Sequence, residues 1–151
     1  MRVCLLRGLL TEEQIFKATL SAAYRADLAC LNQLEEFDRL IDEDLIALSL
    51  KGWCAGTTLD WALETGLELE GGELTDYLSF HNFGSYDIYA IELLIDNGGA
   101  TTGVNEYLSS DDFFLKLKDA ERISFKEIAS LLTESGFIFP KVISFRKRDL
   151  D

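Results

Sequence analysis

An all-α fold of packed helical hairpins is what this sequence predicts, and three observations predict it. Apolar residues recur at three- and four-residue intervals along most of the chain, the spacing that lines one face of a helix. Hydroxyl or acidic residues precede several of these runs, where a side-chain oxygen can accept from an unpaired amide at a helix start. Glycines follow the runs at Gly52, Gly66, Gly98 and Gly136. Glycine enters the left-handed geometry that ends a helix without steric cost.

The elements follow in order. Thr11 with Gln14 has the form of a capping box, and Ile15, Ala18, Leu20, Ala22 and Tyr24 carry the apolar spacing of a first helix. Asp27 can cap a second helix with Leu28, Leu31 and Leu34. Almost no loop separates the two, so an antiparallel hairpin is expected. Asp42-Glu43-Asp44 precedes Leu45, Ile46, Leu48 and Leu50, with acids at the positive end of a helix dipole and Gly52 at the stop. Residues 57–66 form another short helix. Residues 67–86 are less regular, with Gly71-Gly72 and Asn82 to Ser85 around one helical turn at 73–80. Ile88, Ile91, Leu94 and Ile95 share a face before Asn97-Gly98-Gly99. Ser110-Asp111-Asp112 opens a helix with Phe113, Phe114, Leu115 and Leu117. Ser124 with Glu127 reads as a second capping box before Ile128, Leu131 and Leu132. The tail from Phe137 alternates at Val142, Ser144 and Phe145 and is expected to be extended or irregular. Leu31, Leu34, Trp61, Leu63, Ile91, Leu94, Leu131 and Leu132 are the expected core. No low-complexity stretch or Pro/Gly-rich linker divides residues 1–151, so one domain is expected.

Composition narrows the function. The chain has 27 acidic and 14 basic residues, a net charge of −13, in 151 residues. Nucleic acid and anionic membrane both need cationic surface, so neither is expected as a partner. No run reaches the length of a membrane span, and Arg7 and Glu12-Glu13 spoil a signal peptide at the N-terminus. Cys4, Cys30 and Cys54 make an odd set with no CxxC pair, which favours small buried thiols and a reducing, cytoplasmic location.

Catalytic and metal chemistry find little support. His81 is the only histidine, with no Gly-x-Ser-x-Gly elbow to make it part of a triad. One His and three scattered Cys give no zinc spacing, and Asp42-Glu43-Asp44 lacks the form of a calcium loop. The expectation is no catalytic residue, no metal and no cofactor.

Charge placement is the unusual signal. Residues 52–115 hold twelve acids and no Lys or Arg, with ten of the chain's seventeen aromatics. A solvated acidic face over an aromatic core would explain it; an interaction surface would explain it too, because acids steer a cationic partner and aromatics anchor it. The candidate partner-binding residues are Glu68, Glu70, Glu73, Asp76, Tyr77, Phe80, Phe83, Tyr86, Asp111 and Asp112.

Several segments resemble ankyrin repeats. Gly56-Thr57-Thr58-Leu59-Asp60-Trp61-Ala62-Leu63-Glu64-Thr65-Gly66 resembles the first helix of such a repeat, and Tyr89 to Ala100, with paired leucines and Asn-Gly-Gly-Ala, resembles the second. Ala22 to Leu34 looks like the junction inside a repeat, and Glu127 to Phe137 like one more second helix. The spacing is near the ~33-residue period of that family. The chain departs from the pattern in lacking the Pro after Thr and the His after Leu, and residues 38–55 and 101–123 do not follow it. In this alignment residues 67–86 are an irregular insertion where the family has a tight turn. The resemblance implies an ankyrin-like solenoid, a binding scaffold with no shared active site. Together with the charge, it leads to an acidic inhibitor without enzymatic activity, an immunity protein that neutralises a basic toxin such as a nuclease. A general adaptor without a toxin partner is the competing expectation, and an enzyme with an unrecognised site the third.

Overall fold

The computed structural model describes Cys4 and residues 7–37, 45–97 and 101–140. Among these residues there are nine α-helices, one 3-10 turn and no strand. The Asp42-Glu43-Asp44 helix start, the Gly98-Gly99 stop and the tail beyond Pro140 lie outside the described residues.

Local chemistry sets most boundaries. In α1 (Glu12–Arg25), Gln14 donates its amide to the Thr11 hydroxyl at 3.2 Å and the Gln14 side chain accepts from Thr11 N at 2.9 Å, a closed capping box. The helix ends on Ala26 in left-handed geometry, φ 57°, with the amides of Ala26 and Asp27 donating to the carbonyls of Ala23 and Ala22. Asp27 then caps α2 (Leu28–Glu36) by accepting from Cys30 N at 3.1 Å. Ile15 packs with Leu34, and Ala22 and Ala23 with Leu31, so the two helices are antiparallel.

Three further hairpins follow: α3 (Leu45–Lys51) with α4 (Ala55–Glu64), α5 (Glu73–Phe80) with α6 (Ile88–Asp96), and α7 (Val104–Leu108) with α8 (Asp111–Lys118). Gly66 and Gly136 take φ +97° and +93° past α4 and α9 (Arg122–Glu134), as their positions in the sequence require. Ser110 caps α8 by accepting from Phe113 N at 3.3 Å. Ser124 does not cap. α9 begins earlier, after Glu121, so Ser124 lies inside the helix, which places Glu127 mid-helix as well.

The hairpins stack in one direction. Their first helices end at Arg25, Lys51, Phe80 and Leu108, intervals of 26, 29 and 28 residues. α1 packs on α3, α3 on α5 and α5 on α7, forming one row. In the second row α4 packs on α6, and Trp61 Nε1 donates to Asn32 Oδ1 at 2.7 Å to join α4 to α2. α9 packs against the 3-10 turn Phe83–Ser85. Most buried side chains form one core under α3 to α9, with smaller clusters under the first hairpin. Leu31, Leu34, Trp61, Ile91, Leu94 and Leu132 are buried as expected, while Leu63 and Leu131 are half-buried. Phe137 and Phe139 pack on the core and Ile138 points out, so the described start of the tail is non-helical and alternates.

Residues 67–86 are not an insertion. They contain α5, a full member of the first row, because Leu74, Tyr77 and Leu78 form an apolar stripe at helical spacing and are buried. The segment Gly56–Gly66 is likewise not the first helix of a unit whose second is α6. α4 and α6 run side by side in the same direction, as equivalent helices of successive hairpins. Their starts meet where Gly56 N donates to Asp87 Oδ2 at 2.9 Å, and Leu63, Gly66 and Asn97 meet at their ends.

Gly56 permits that contact. A Cβ there would lie 2.6 Å from Tyr89 Cδ1 and 2.9 Å from Ala90 N. Gly52 has the same explanation rather than a helix-stop geometry: a side chain would collide with the backbone of Tyr24, whose carbonyl accepts from Trp53 N at 2.8 Å. Two substitutions should therefore move stability in opposite directions. Gly56→Ala should destabilise by roughly 1–3 kcal/mol in urea unfolding, the overpacking outweighing the better helix propensity of alanine. Ala26→Gly should stabilise by up to about 1 kcal/mol, since glycine relieves the left-handed strain but raises the entropy of the unfolded chain. A stabilising Gly56→Ala would mean that α4 and α6 are further apart than described.

Candidate functional site

A cleft of about 770 Å³ lies between α3 and α5. Leu45, Ile46, Leu50 and Lys51 line it from α3, Glu73, Asp76, Tyr77 and Phe80 from α5, and Leu67, Glu68 and Glu70 from the connection between α4 and α5. The phase of α5 explains the division of its side chains. Leu74, Tyr77 and Leu78 face the core, which turns Asp76 and Phe80 outward one helical turn apart.

Of the ten candidate binding residues, the structure brings Glu68, Glu70, Glu73, Asp76, Tyr77 and Phe80 to this one cleft. Glu68, Glu70 and Asp76 are exposed, and among the described residues none of them forms an ion pair. Glu73 is committed locally: its carboxylate accepts from Glu70 N and, at 2.8 Å, from Gly71 N. That arrangement fixes the approach to α5. Phe80 is 56% exposed, and the Lys51 ammonium lies 5.7 Å from the centre of its ring. Among the described residues, Lys51 is the only basic one lining the cleft.

Burial and position divide the candidates further. Tyr77 is 1% exposed and Phe83 4%, so both rings belong to the core and neither is a surface anchor. An aromatic in a helix or turn reads alike in sequence whether it faces in or out until the phase of its own element is known. Tyr86 is largely inside as well, and its hydroxyl donates to Leu78 O at 2.6 Å. Asp111 and Asp112 start α8 away from the cleft, and Asp112 accepts from the Tyr107 hydroxyl at 2.8 Å.

The C-terminal end of α5 is tied to two other helices, α8 and α3. Lys116 Nζ donates to Leu78 O at 2.9 Å, to His81 O at 2.8 Å and to Ser79 O. His81 Nε2 donates to Leu50 O at 2.6 Å, tying the end of α5 to the end of α3. Its ring also packs on Tyr77 and Phe80. The single histidine thus helps to hold the cleft's two walls together.

Sequence reasoning missed two features. One is the α3 wall of the cleft, because Ile46, Leu50 and Lys51 meet α5 only through the stacking of hairpins. The other is an aromatic edge where the hairpin turns meet: Trp53 is 71% exposed, with Tyr24 and Tyr89 also exposed. Trp53 lies in the turn between α3 and α4, off any apolar stripe, and that position was the available signal. Cys54 beside it is exposed and in left-handed geometry, contrary to the expectation of a buried thiol, because it occupies the tip of that turn. None of the three cysteines is in a disulfide. Among the described residues no cluster of three His, Cys, Asp or Glu could hold a metal ion, and no helix is long and apolar enough to cross a membrane. Comparison of the chain with protein-family models, curated proteins and solved structures finds no match.

The tyrosines beneath α5 carry a pH signature. Burial pushes the Tyr77 phenol up to about 12, and burial likewise raises Tyr86 and Tyr107, the latter with help from the hydrogen bond to Asp112. A phenol whose proton is held more tightly in the folded state contributes stability below its unfolded pKa and loses it as pH rises through the folded value. Where these phenols govern the response, stability should be flat from pH 7 to 9 and fall from about pH 10 upward, followed by thermal unfolding. Tyr86→Phe should flatten that fall. An unchanged alkaline limb in the variant would contradict burial of this phenol.

Proposed function

We propose that the chain is a binding protein that inhibits a basic protein partner, in the manner of an immunity protein directed at a toxin such as a nuclease, on an ankyrin-like stack of helical hairpins. The observation that carries this reading is the cleft: exposed carboxylates that form no ion pair among the described residues stand beside an exposed phenylalanine, in a chain of net charge −13. Unpaired acids on one face repel each other, and a cationic partner removes that repulsion. A nuclease carries such a surface because its substrate is a polyanion. The parallel stacking and the 26-, 29- and 28-residue intervals between the ends of the first helices support the repeat scaffold. Exposed free Cys54 fits a reducing, cytoplasmic setting.

A general adaptor is the second reading. The edge formed by Tyr24, Trp53 and Tyr89 favours it, because aromatic residues are over-represented in interfaces and this edge is a second exposed surface.

The test starts from a basic protein captured at low salt and then purified. Inhibition separates the readings: one equivalent of the chain should abolish the partner's catalytic activity, whereas an adaptor would bind and leave it intact. Association should slow by about tenfold or more between 50 and 300 mM salt, since screening shortens the reach of exposed charge. Glu68→Lys, Glu70→Lys and Asp76→Lys combined should weaken the complex while leaving the far-UV circular dichroism spectrum unchanged. An on-rate indifferent to salt, with full affinity in the triple variant, would reject the acidic cleft as the binding surface.

A further inference from the structure

We propose that the α3–α5 cleft receives an arginine side chain borne on an apolar segment of the partner protein, with its guanidinium on the face of Phe80 and against Asp76. This rests on the reading of the chain as a binder of a basic protein and adds the chemistry that the cleft selects. Three observations lead to it.

The first is shape and lining. A space of about 770 Å³ holds a long side chain together with its neighbours, and Ile46, Leu50 and Leu67 offer apolar contact to a methylene stem. The second is charge. Glu68, Glu70 and Asp76 border the same space without ion pairs among the described residues, so the cleft complements a cation and opposes an anion. The third is the ring. Phe80 is more than half exposed, and the face it offers is already used by a cation, the ammonium of Lys51 at 5.7 Å. Lys51 thus marks where a positive group rests in the free protein and competes with an incoming one. Arginine answers this arrangement better than lysine does. Its planar, weakly hydrated guanidinium stacks on an aromatic face while its edge pairs with a carboxylate. Asp76, one turn before Phe80 on the same side of α5, is placed for that pairing.

The probe is a blocked peptide, acetyl-Ala-Leu-Arg-Leu-Ala-amide, with citrulline replacing arginine as its neutral counterpart. Each is titrated into the full chain at 50 mM salt and followed by backbone amide shifts. The expected result is saturable movement of the Lys51, Asp76, Ser79 and Phe80 amides with the arginine peptide, and about tenfold weaker binding of the citrulline peptide. Phe80→Leu, which keeps an apolar surface but removes the ring, should weaken binding about threefold to tenfold. Asp76→Asn should weaken it as well. Lys51→Gln should strengthen it severalfold by removing the competing cation, and this gain is not expected from a disturbed fold. Glu106→Gln, an exposed acid outside the cleft, should change nothing.

Equal affinity for the two peptides, or shifts confined to the Trp53 edge, would overturn the proposal. So would binding that appears only in a chain ending at Pro140. That result would assign the cleft to the chain's own Lys141, Arg146, Lys147 and Arg148. The two levels remain separable. Failure of the peptide with salt-dependent inhibition of the basic partner retained would overturn the arginine site alone, whereas loss of both would remove the functional reading too.

Discussion

An eight-residue helix does not hold its shape alone, because too few internal hydrogen bonds offset the entropy of ordering it. α5 is such a helix, and the cleft has α5 for one wall. Its position depends on how its last carbonyls are satisfied. Lys116 reaches across from α8 and donates to Leu78, Ser79 and His81, while the Tyr86 hydroxyl donates to Leu78. The ammonium also sits at the negative end of the helix dipole, and Glu73 and Asp76 sit at the positive end. Charge and hydrogen bonding therefore hold the helix in the same direction at both ends.

This closure links the stack to the binding surface. The Tyr77 hydroxyl accepts from Asp87 N at 2.6 Å, and Asp87 in turn accepts from Gly56 N, so the inner side of α5 is joined to the close contact between α4 and α6. His81 joins its end to α3. What remains outward-facing is the strip bearing Asp76 and Phe80, whose side chains take no part in these hydrogen bonds. A surface held from beneath loses little conformational entropy on binding, which favours affinity.

Much of the helical fold was legible in the sequence. Thr11, Asp27 and Ser110 announced helix starts because a capping side chain acts on amides two or three residues away. Gly66 and Gly136 announced ends for an equally local reason. The errors lie where the deciding contact is distant. Ser124 and Glu127 match a capping box, but α9 extends past them to Arg122. α5 was legible as a turn and not as a stacked helix, because its breakers Gly71-Gly72 stood out more than the stripe Leu74, Tyr77 and Leu78. That misreading turned α4 and α6 into partners within one hairpin, when each is the second helix of its own. In the site, the run of acids without bases was plain, since charge is counted directly from sequence. Which aromatics faced outward was not, and Tyr77 and Phe80, three residues apart, divide between core and cleft.

Amide hydrogen exchange on Lys116→Met tests most directly whether the cleft depends on the closed end of α5. The account predicts faster exchange across Tyr77 to His81, with α1 and α2 unchanged and the Lys51–Phe80 contact weakened. Exchange in α5 equal to that of the unmodified chain would contradict it. The position of the cleft wall would then owe nothing to Lys116.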